Sequence, residues 1–158
     1  MIKVLFVCWG NICRSPMAEF IMKDLVKKAG REKEFYIESA AHSREEIGNG
    51  VYPPAKAELK RHGIGVAGNE LGVGEKRARQ IRKDEYADWD YIIGMEQINI
   101  THMMRILEED PEHKVHLLMD FTGRKEDIAD PWYTGDFAGV YQQIVKGCEA
   151  LIAEVLHE

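Results

Sequence analysis

Val4-Leu5-Phe6-Val7-Cys8-Trp9-Gly10-Asn11-Ile12-Cys13-Arg14-Ser15-Pro16 decides how the rest of the chain is read. The apolar run from Ile2 to Val7, rich in Val, Leu and Phe, predicts a buried strand. From Ser15 to about Ala29, the residues Ala18, Ile21, Met22, Leu25 and Ala29 recur at helical spacing, and Gly30 suits the stop. A strand feeding a helix through a short loop is a unit of open α/β sheets, which bind ligands outside the carboxyl ends of their strands. Cys8 stands at such an end. In the loop, Gly10 has no side chain to hinder a left-handed conformation and Asn11 tolerates one better than most residues, while Ser15 and Pro16 fit a helix cap and first turn.

This loop predicts a phosphate site with its own nucleophile. Backbone N–H groups across Trp9, Gly10, Asn11, Ile12, Cys13 and Arg14 can converge on an anion, and a helix N-terminus adds positive potential. The other common phosphate loop needs Gly-x4-Gly-Lys-Ser/Thr, which this chain lacks. Here a cysteine can enter the cradle instead. The same N–H groups, helix end and Arg14 that hold phosphate also favour a thiolate at Cys8, so its pKa is expected below the free value of ~8.5. Arg14 can grip two phosphate oxygens as a fork, where lysine would supply only charge. A phosphoryl-transferring thiolate also needs an acid for the leaving group and a base for the later water, and one carboxylate can serve both in turn. Asp130-Pro131-Trp132-Tyr133 is the best candidate, an acid before a rigid turn and two aromatics that can wall a pocket.

The remaining pattern alternates strand and helix. Phe35-Tyr36-Ile37 predicts a strand ending near Ser39, Trp89 to Met95 a third and Val115 to Met119 a fourth. Pro53 and Pro54 open a helix to about His62, with Gly63 as its stop; Gln97 to Leu107 is helical, with Asp110-Pro111 ending it. Phe137, Val140, Tyr141, Ile144, Val145, Cys148, Leu151, Ile152 and Val155 form the apolar stripe of a last helix. Strands separated by helices imply a parallel sheet covered on both faces, within one domain spanning residues 1–158. Gly63 to Gly74 holds five glycines and predicts a mobile surface loop, or else a flap shaping the site.

With a net charge of −6, general nucleic-acid binding is disfavoured, so any anion site must be local. Three cysteines, two of them close together, do not form a secreted disulfide framework. The N-terminal apolar run is too short for a signal peptide and no segment approaches a membrane span, which points to a reducing cytoplasm. Cys148 lies in the apolar stripe of the last helix and is expected in the core. Arg77, Arg79, Arg82 and Lys83 read as a solvated basic face, and His113 with His116 as solvated residues rather than metal ligands.

Taken together, these residues resemble the low-molecular-weight protein tyrosine phosphatases, whose pattern is Val-Cys-x-Gly-Asn-Ile-Cys-Arg-Ser-Pro near the N-terminus and Asp-Pro-aromatic-Tyr near the C-terminus. Residues 7–16 match the first with Trp9 at the variable position, and residues 130–133 match the second. The likeness extends through Ser39-Ala40, His62-Gly63-Ile64, Ala78-Arg79-Gln80-Ile81 and Val140-Tyr141-Gln142-Gln143. It implies an α/β three-layer sandwich with a central four-stranded parallel sheet flanked by helices on both faces. It implies Cys8 as nucleophile, Arg14 as phosphate and transition-state clamp, and Asp130 as general acid, then base. Ser15 would donate a hydrogen bond to the Cys8 sulfur, Asn11 would hold the loop by bonding Ser39, and Cys13 would pair with Cys8 under oxidation. No metal or other cofactor is needed, because the loop supplies the positive field.

The implied substrates are phosphotyrosine-containing proteins or peptides, with inorganic phosphate and vanadate-like oxyanions as inhibitors, in a monomer or a weakly self-associating protein. Three departures stand out. The glycine loop is longer than usual before Ala78. A histidine that many members carry just before Ala-Arg-Gln is replaced, with Lys76 or Arg77 nearby. Arg44-Glu45-Glu46 stands where members often carry a rim aromatic, leaving Trp9, Trp132 and Tyr133 as the aromatic wall and predicting poorer binding of acidic peptides. Three alternatives stay open: an arginine phosphatase, which in this family tends to carry Thr at the position of Ile12; a thiol-linked arsenate reductase, for which Cys148 is badly placed; and a phosphate-binding module without turnover.

Overall fold

A computed structural model describes residues 1–157. The strands are β1 (Ile2–Cys8), β2 (Phe35–Ala41), β3 (Tyr91–Gly94) and β4 (Val115–Leu117), paired in parallel in the order β2-β1-β3-β4. The helices are α1 (Arg14–Lys28), α2 (Pro53–Arg61), α3 (Gln97–Leu107), α4 (Pro131–Thr134) and α5 (Phe137–Val155). The fold is the α/β sandwich with a four-stranded parallel sheet.

β1 is the central reason for this architecture. Val4, Leu5, Phe6 and Val7 are all fully buried, and alternate residues serve different layers. Val4, Phe6 and Cys8 join the core beneath α1, α2 and α5, whereas Leu5 and Val7 join a second core with Trp89 and with Met103 and Leu107 of α3. Each such side chain contributes about 1.5–3 kcal/mol by leaving water. Cys148 of α5 is fully buried in the first core. From β1 the chain passes to β2 on one side and later to β3 on the other. The crevice between the carboxyl ends of β1 and β3 is therefore the topological switch point, where such sheets bind ligands.

Several boundaries differ from the expectations. β3 and β4 are shorter than the apolar runs Trp89–Met95 and Val115–Met119, because Trp89 ends a 3-10 turn over Lys83–Asp88 and Leu118 begins another over Leu118–Thr122. α3 spans Gln97–Leu107 as expected, but its stop is Glu108, which turns to φ +71 ahead of Asp110-Pro111. Ser15 is not a helix cap. Cys13 holds that position without a side-chain bond, and the Ser15 hydroxyl is engaged inward. Asn11 takes the left-handed conformation (φ 62) and Gly10 does not. Gly10 is instead a close approach, where an added Cβ would lie 3.1 Å from the Glu46 side chain.

The glycine loop over 63–74 is a largely exposed surface loop tied to α1. Asn69 donates to Asp24 and accepts from Lys27, both on α1, and Val73 is buried in the core. Arg79 leaves the expected solvated basic face: it forms a two-pronged bond to Glu85 at 2.9 and 3.0 Å. His116 is half-buried against Tyr91 and Phe121, while His113 is exposed. Among the described residues no helix is long and apolar enough to cross a membrane.

Candidate active site

The loop after β1 wraps its own last residue. The backbone N–H of Ser15 donates to Cys8 Sγ at 3.4 Å, and the Ser15 hydroxyl lies 3.1 Å from the same sulfur. That hydroxyl also accepts from Asn11 Nδ2 at 2.7 Å, and the same amide donates to Ser39 Oγ at 3.0 Å. Asn11 Oδ1 accepts from the Arg79 N–H, so both ends of its amide are held and its left-handed backbone is supported from three directions. Ser39 donates onward to Glu19 Oε1 at 2.6 Å. Lys76 closes this network: its ammonium donates to the Ser39 carbonyl at 2.7 Å and stands 3.4 Å from Glu19. Burial lowers the Lys76 pKa, and Glu19 opposes that shift. Ser39 therefore supports the loop from below and does not line the pocket.

Arg14 is 1% exposed and is aimed by what surrounds it. Its Nη1 donates to the Ile128 carbonyl at 2.9 Å and to Glu96 Oε1 at 2.9 Å, while Nη2 lies 3.4 Å from Asp130 Oδ2. Burial alone would lower its pKa, but the negative charge of Cys8, Asp130 and Glu96 outweighs burial and raises it. Asp130 is the N-cap of α4: its Oδ1 accepts from the Trp132 N–H at 3.0 Å, which leaves Oδ2 facing the arginine. Burial, with Cys8 and Asp130 nearby, drives the Cys13 thiol upward and keeps it neutral.

These groups share one pocket of about 590 Å³ at the switch point. Cys8, Gly10, Ile12, Cys13 and Arg14 form its floor. Trp9, Ile98, Trp132 and Tyr133 form its apolar wall, and Glu45, Glu46 and Glu96 give it an acidic rim. Tyr133 is 84% exposed and Trp132 51%, the latter tilted against the Tyr52 ring at 4.7 Å between centroids. Trp9 is fixed, because its indole N–H donates to Glu45 at 3.1 Å. Among the described residues no group of three or more His, Cys, Asp or Glu side chains is arranged to hold a metal.

Sequence reasoning missed Glu96, Ile98, Glu19 and the His42–Asn99 pair. Glu96 and Ile98 had an available signal, since they directly follow a predicted strand and ligands gather at strand ends. Glu19 had none: an acid in the first turns of an amphipathic helix looks solvated until the opposing strand places Ser39 against it.

The family model for low molecular weight phosphotyrosine protein phosphatases matches residues 3–158. The low molecular weight protein-tyrosine-phosphatase YfkJ of Bacillus subtilis is 39% identical over 100% of this chain and 98% of its own. Its crystal structure aligns with a TM-score of 0.88, covering 99% of this chain and 96% of that one. The low molecular weight phosphotyrosine protein phosphatase 1 of Drosophila melanogaster is 35% identical over 99% and 98% of the two chains. A crystal structure described as a drosophila arginine phosphatase aligns at TM-score 0.83 with 34% identity, covering 98% of each chain.

Proposed function

Because the chain belongs to the low molecular weight phosphotyrosine protein phosphatase family, we propose that it hydrolyses phosphotyrosine monoesters, and aryl phosphates generally, through a phosphocysteine at Cys8. The observation that carries this reading is the convergence on one pocket of a cysteine sulfur, a buried arginine and a carboxylate 3.4 Å from that arginine. The Cys8 thiolate attacks phosphorus, the bond from phosphorus to the phenolic oxygen breaks, and protonated Asp130 gives its proton to that oxygen. Asp130, now a carboxylate, takes a proton from water as the water oxygen attacks phosphorus. The S–P bond then breaks and inorganic phosphate leaves. Arg14 and the loop amides hold the phosphoryl oxygens as charge develops on them. Ser15 stabilises the leaving thiolate, and Asn11 with Ser39 keeps the loop in its strained shape.

Cys13 stands beside Cys8 as the partner for a protective disulfide under oxidation. The setting is cytoplasmic, and free phosphate or vanadate-like oxyanions compete for the loop. Hydrolysis of p-nitrophenyl phosphate tests the reading: turnover without added metal, inhibition by vanadate and loss in Cys8→Ser are expected. A silent wild-type protein would overturn it.

Phosphoarginine is the second reading, favoured by the similarity to the arginine phosphatase structure. Ile12 weighs against it. Its branched carbon surface lines the pocket, where it suits an aryl ring and offers a guanidinium no hydroxyl. Phosphotyrosine, phosphoserine and phosphoarginine peptides compared under one condition separate the readings.

A further inference from the structure

His42 sits at the C-terminal end of β2, 5% exposed, with its main chain pinned on both sides. Its N–H donates to the Cys8 carbonyl at 3.1 Å, and its carbonyl accepts from Gln80 Nε2 at 3.1 Å. The ring therefore has a fixed position behind the active-site loop. It meets the Trp9 indole edge-on at 5.0 Å and stacks on His102 at 4.9 Å, and His102 itself lies 5.1 Å from Trp9. His42 Nε2 is 3.2 Å from Asn99 Nδ2.

The Asn99 amide decides which proton His42 carries. Asn99 Oδ1 accepts from the N–H groups of Met95 and Glu96, at 3.1 and 3.0 Å, so its oxygen is committed. Its nitrogen, which can only donate, is left facing His42 Nε2, which must then accept. The imidazole is neutral and carries its proton on Nδ1. Asn99 in turn holds the main chain of Glu96, and the Glu96 carboxylate holds the Arg14 guanidinium. One ring thus touches the pocket wall on one side and, through two residues, the phosphate clamp on the other.

We propose that His42 is a positioning residue that couples the aromatic wall to the arginine clamp, holding Trp9 through its ring and the Asn99–Glu96–Arg14 chain through the lone pair on Nε2. The inference rests on the phosphatase reading for its kinetic consequences and on geometry alone for the tautomer. The two arms separate by substitution. Glutamine can place an oxygen near the position of Nε2 but has no ring; phenylalanine keeps a ring and has no acceptor.

Two constants are measured for each variant, the KM for p-nitrophenyl phosphate and the inhibition constant of inorganic phosphate. His42→Phe is expected to keep the aryl KM while kcat falls and phosphate inhibition weakens by about fivefold to tenfold, the worth of one lost hydrogen bond. His42→Gln is expected to keep kcat and phosphate inhibition while the aryl KM rises about fivefold. His102→Ala, at a half-buried site, should raise the aryl KM alone. Parallel shifts of both constants in all three variants, or no shift in any, would overturn the coupling. If the two His42 variants do not fold, His102→Ala and the wild-type spectrum decide. Long-range 1H–15N correlation of the histidine rings should show His42 neutral and protonated on Nδ1 from about pH 5 to 8; protonation on Nε2 would overturn the proposal. That spectrum needs no turnover, so a wild type inactive on aryl phosphates would sink the phosphatase reading and leave the tautomer result standing.

Discussion

Glu96 Oε1 lies 2.9 Å from Arg14 Nη1, on the same guanidinium nitrogen that donates to the Ile128 carbonyl. One end of the Arg14 guanidinium is thereby fixed by two acceptors, while Nη2 faces Asp130 at 3.4 Å. The carboxylate helps set the plane of the guanidinium proposed to clamp phosphate. Glu96→Gln keeps the shape and loses the charge. Since a hydrogen bond to a charged group is worth ~1.5–3 kcal/mol, kcat/KM on p-nitrophenyl phosphate should fall about tenfold to a hundredfold. Arg14→Lys should fall further, because an ammonium cannot form two parallel bonds. Wild-type rates in Glu96→Gln would remove Glu96 from the clamp.

Asp130 is held by the Trp132 N–H on one oxygen and faces Arg14 with the other. If it protonates the leaving oxygen, its loss should matter in proportion to how badly the leaving group needs the proton. Asp130→Ala should slow phosphotyrosine, whose phenolate leaves poorly, by about 10²–10⁴-fold and p-nitrophenyl phosphate much less. Equal slowing of both substrates would assign the proton transfer elsewhere.

Lys76 occupies the ground below the loop. Its ammonium bonds the Ser39 carbonyl and faces Glu19, which accepts from the Ser39 hydroxyl. Removing the cation in Lys76→Met leaves Glu19 with Lys23 as its remaining ammonium partner and loosens the orientation of Ser39, and hence of Asn11 and Ser15. Urea unfolding should show a loss of about 1–3 kcal/mol, the penalty of leaving a buried polar group poorly matched. Activity should fall with KM nearly unchanged. Lys76→Arg should recover most of both, and a Lys76→Met protein equal to wild type in stability and kcat would show the network to be redundant.

How much of this was readable beforehand follows from where each interaction lies along the chain. The loop over 8–16 was legible because its chemistry is local: strand end, tight turn, cation and helix start fall within nine residues. The four strands were legible from their apolar runs, but their ends were not, because Trp89 and Leu118 bury equally well in a strand or in a 3-10 turn. The Glu19–Ser39–Lys76 network joins residues from three distant segments, each unremarkable beside its own neighbours. His42 was invisible for the same reason, since its partners Trp9, Asn99 and His102 come from β1's loop and α3.

The rim carries Glu45, Glu46 and Glu96 around a floor whose cation, Arg14, is buried. A peptide bound there would meet the negative charge of this rim, within a Debye length of ~8 Å at physiological salt. Phosphotyrosine peptides flanked by Lys or Arg should show a higher kcat/KM than those flanked by Asp or Glu, by about tenfold, with the gap shrinking as salt is raised. Glu46→Gln should narrow the gap without changing hydrolysis of p-nitrophenyl phosphate, which has no flanks. Equal kcat/KM for both peptide sets at low salt would show the rim acids to be spectators.

The His42 ring also sets a pH signature for the fold. Burial, reinforced by His102 and Arg14, lowers its pKa from 6.5 to about 4. The unfolded chain then binds a proton near pH 6.5 that the folded protein refuses until about pH 4. Stability rises with pH wherever the unfolded state holds more protons. The stabilisation is thus complete above pH 6.5 and drains away as pH falls toward 4, by up to about 3 kcal/mol for a shift of this size. Glu85 and Asp110, whose carboxyls burial would raise but whose hydrogen bonds hold them below their ordinary range, contribute a further loss that sets in below about pH 5, as free carboxylates begin to protonate. Urea unfolding stepped from pH 7 to pH 5 therefore isolates the histidine. Wild type should lose stability across that window and His42→Phe should lose much less, because phenylalanine has no proton to bind. Parallel curves for the two proteins would mean that His42 is charged in the fold, against the neutral state its Asn99 partner requires.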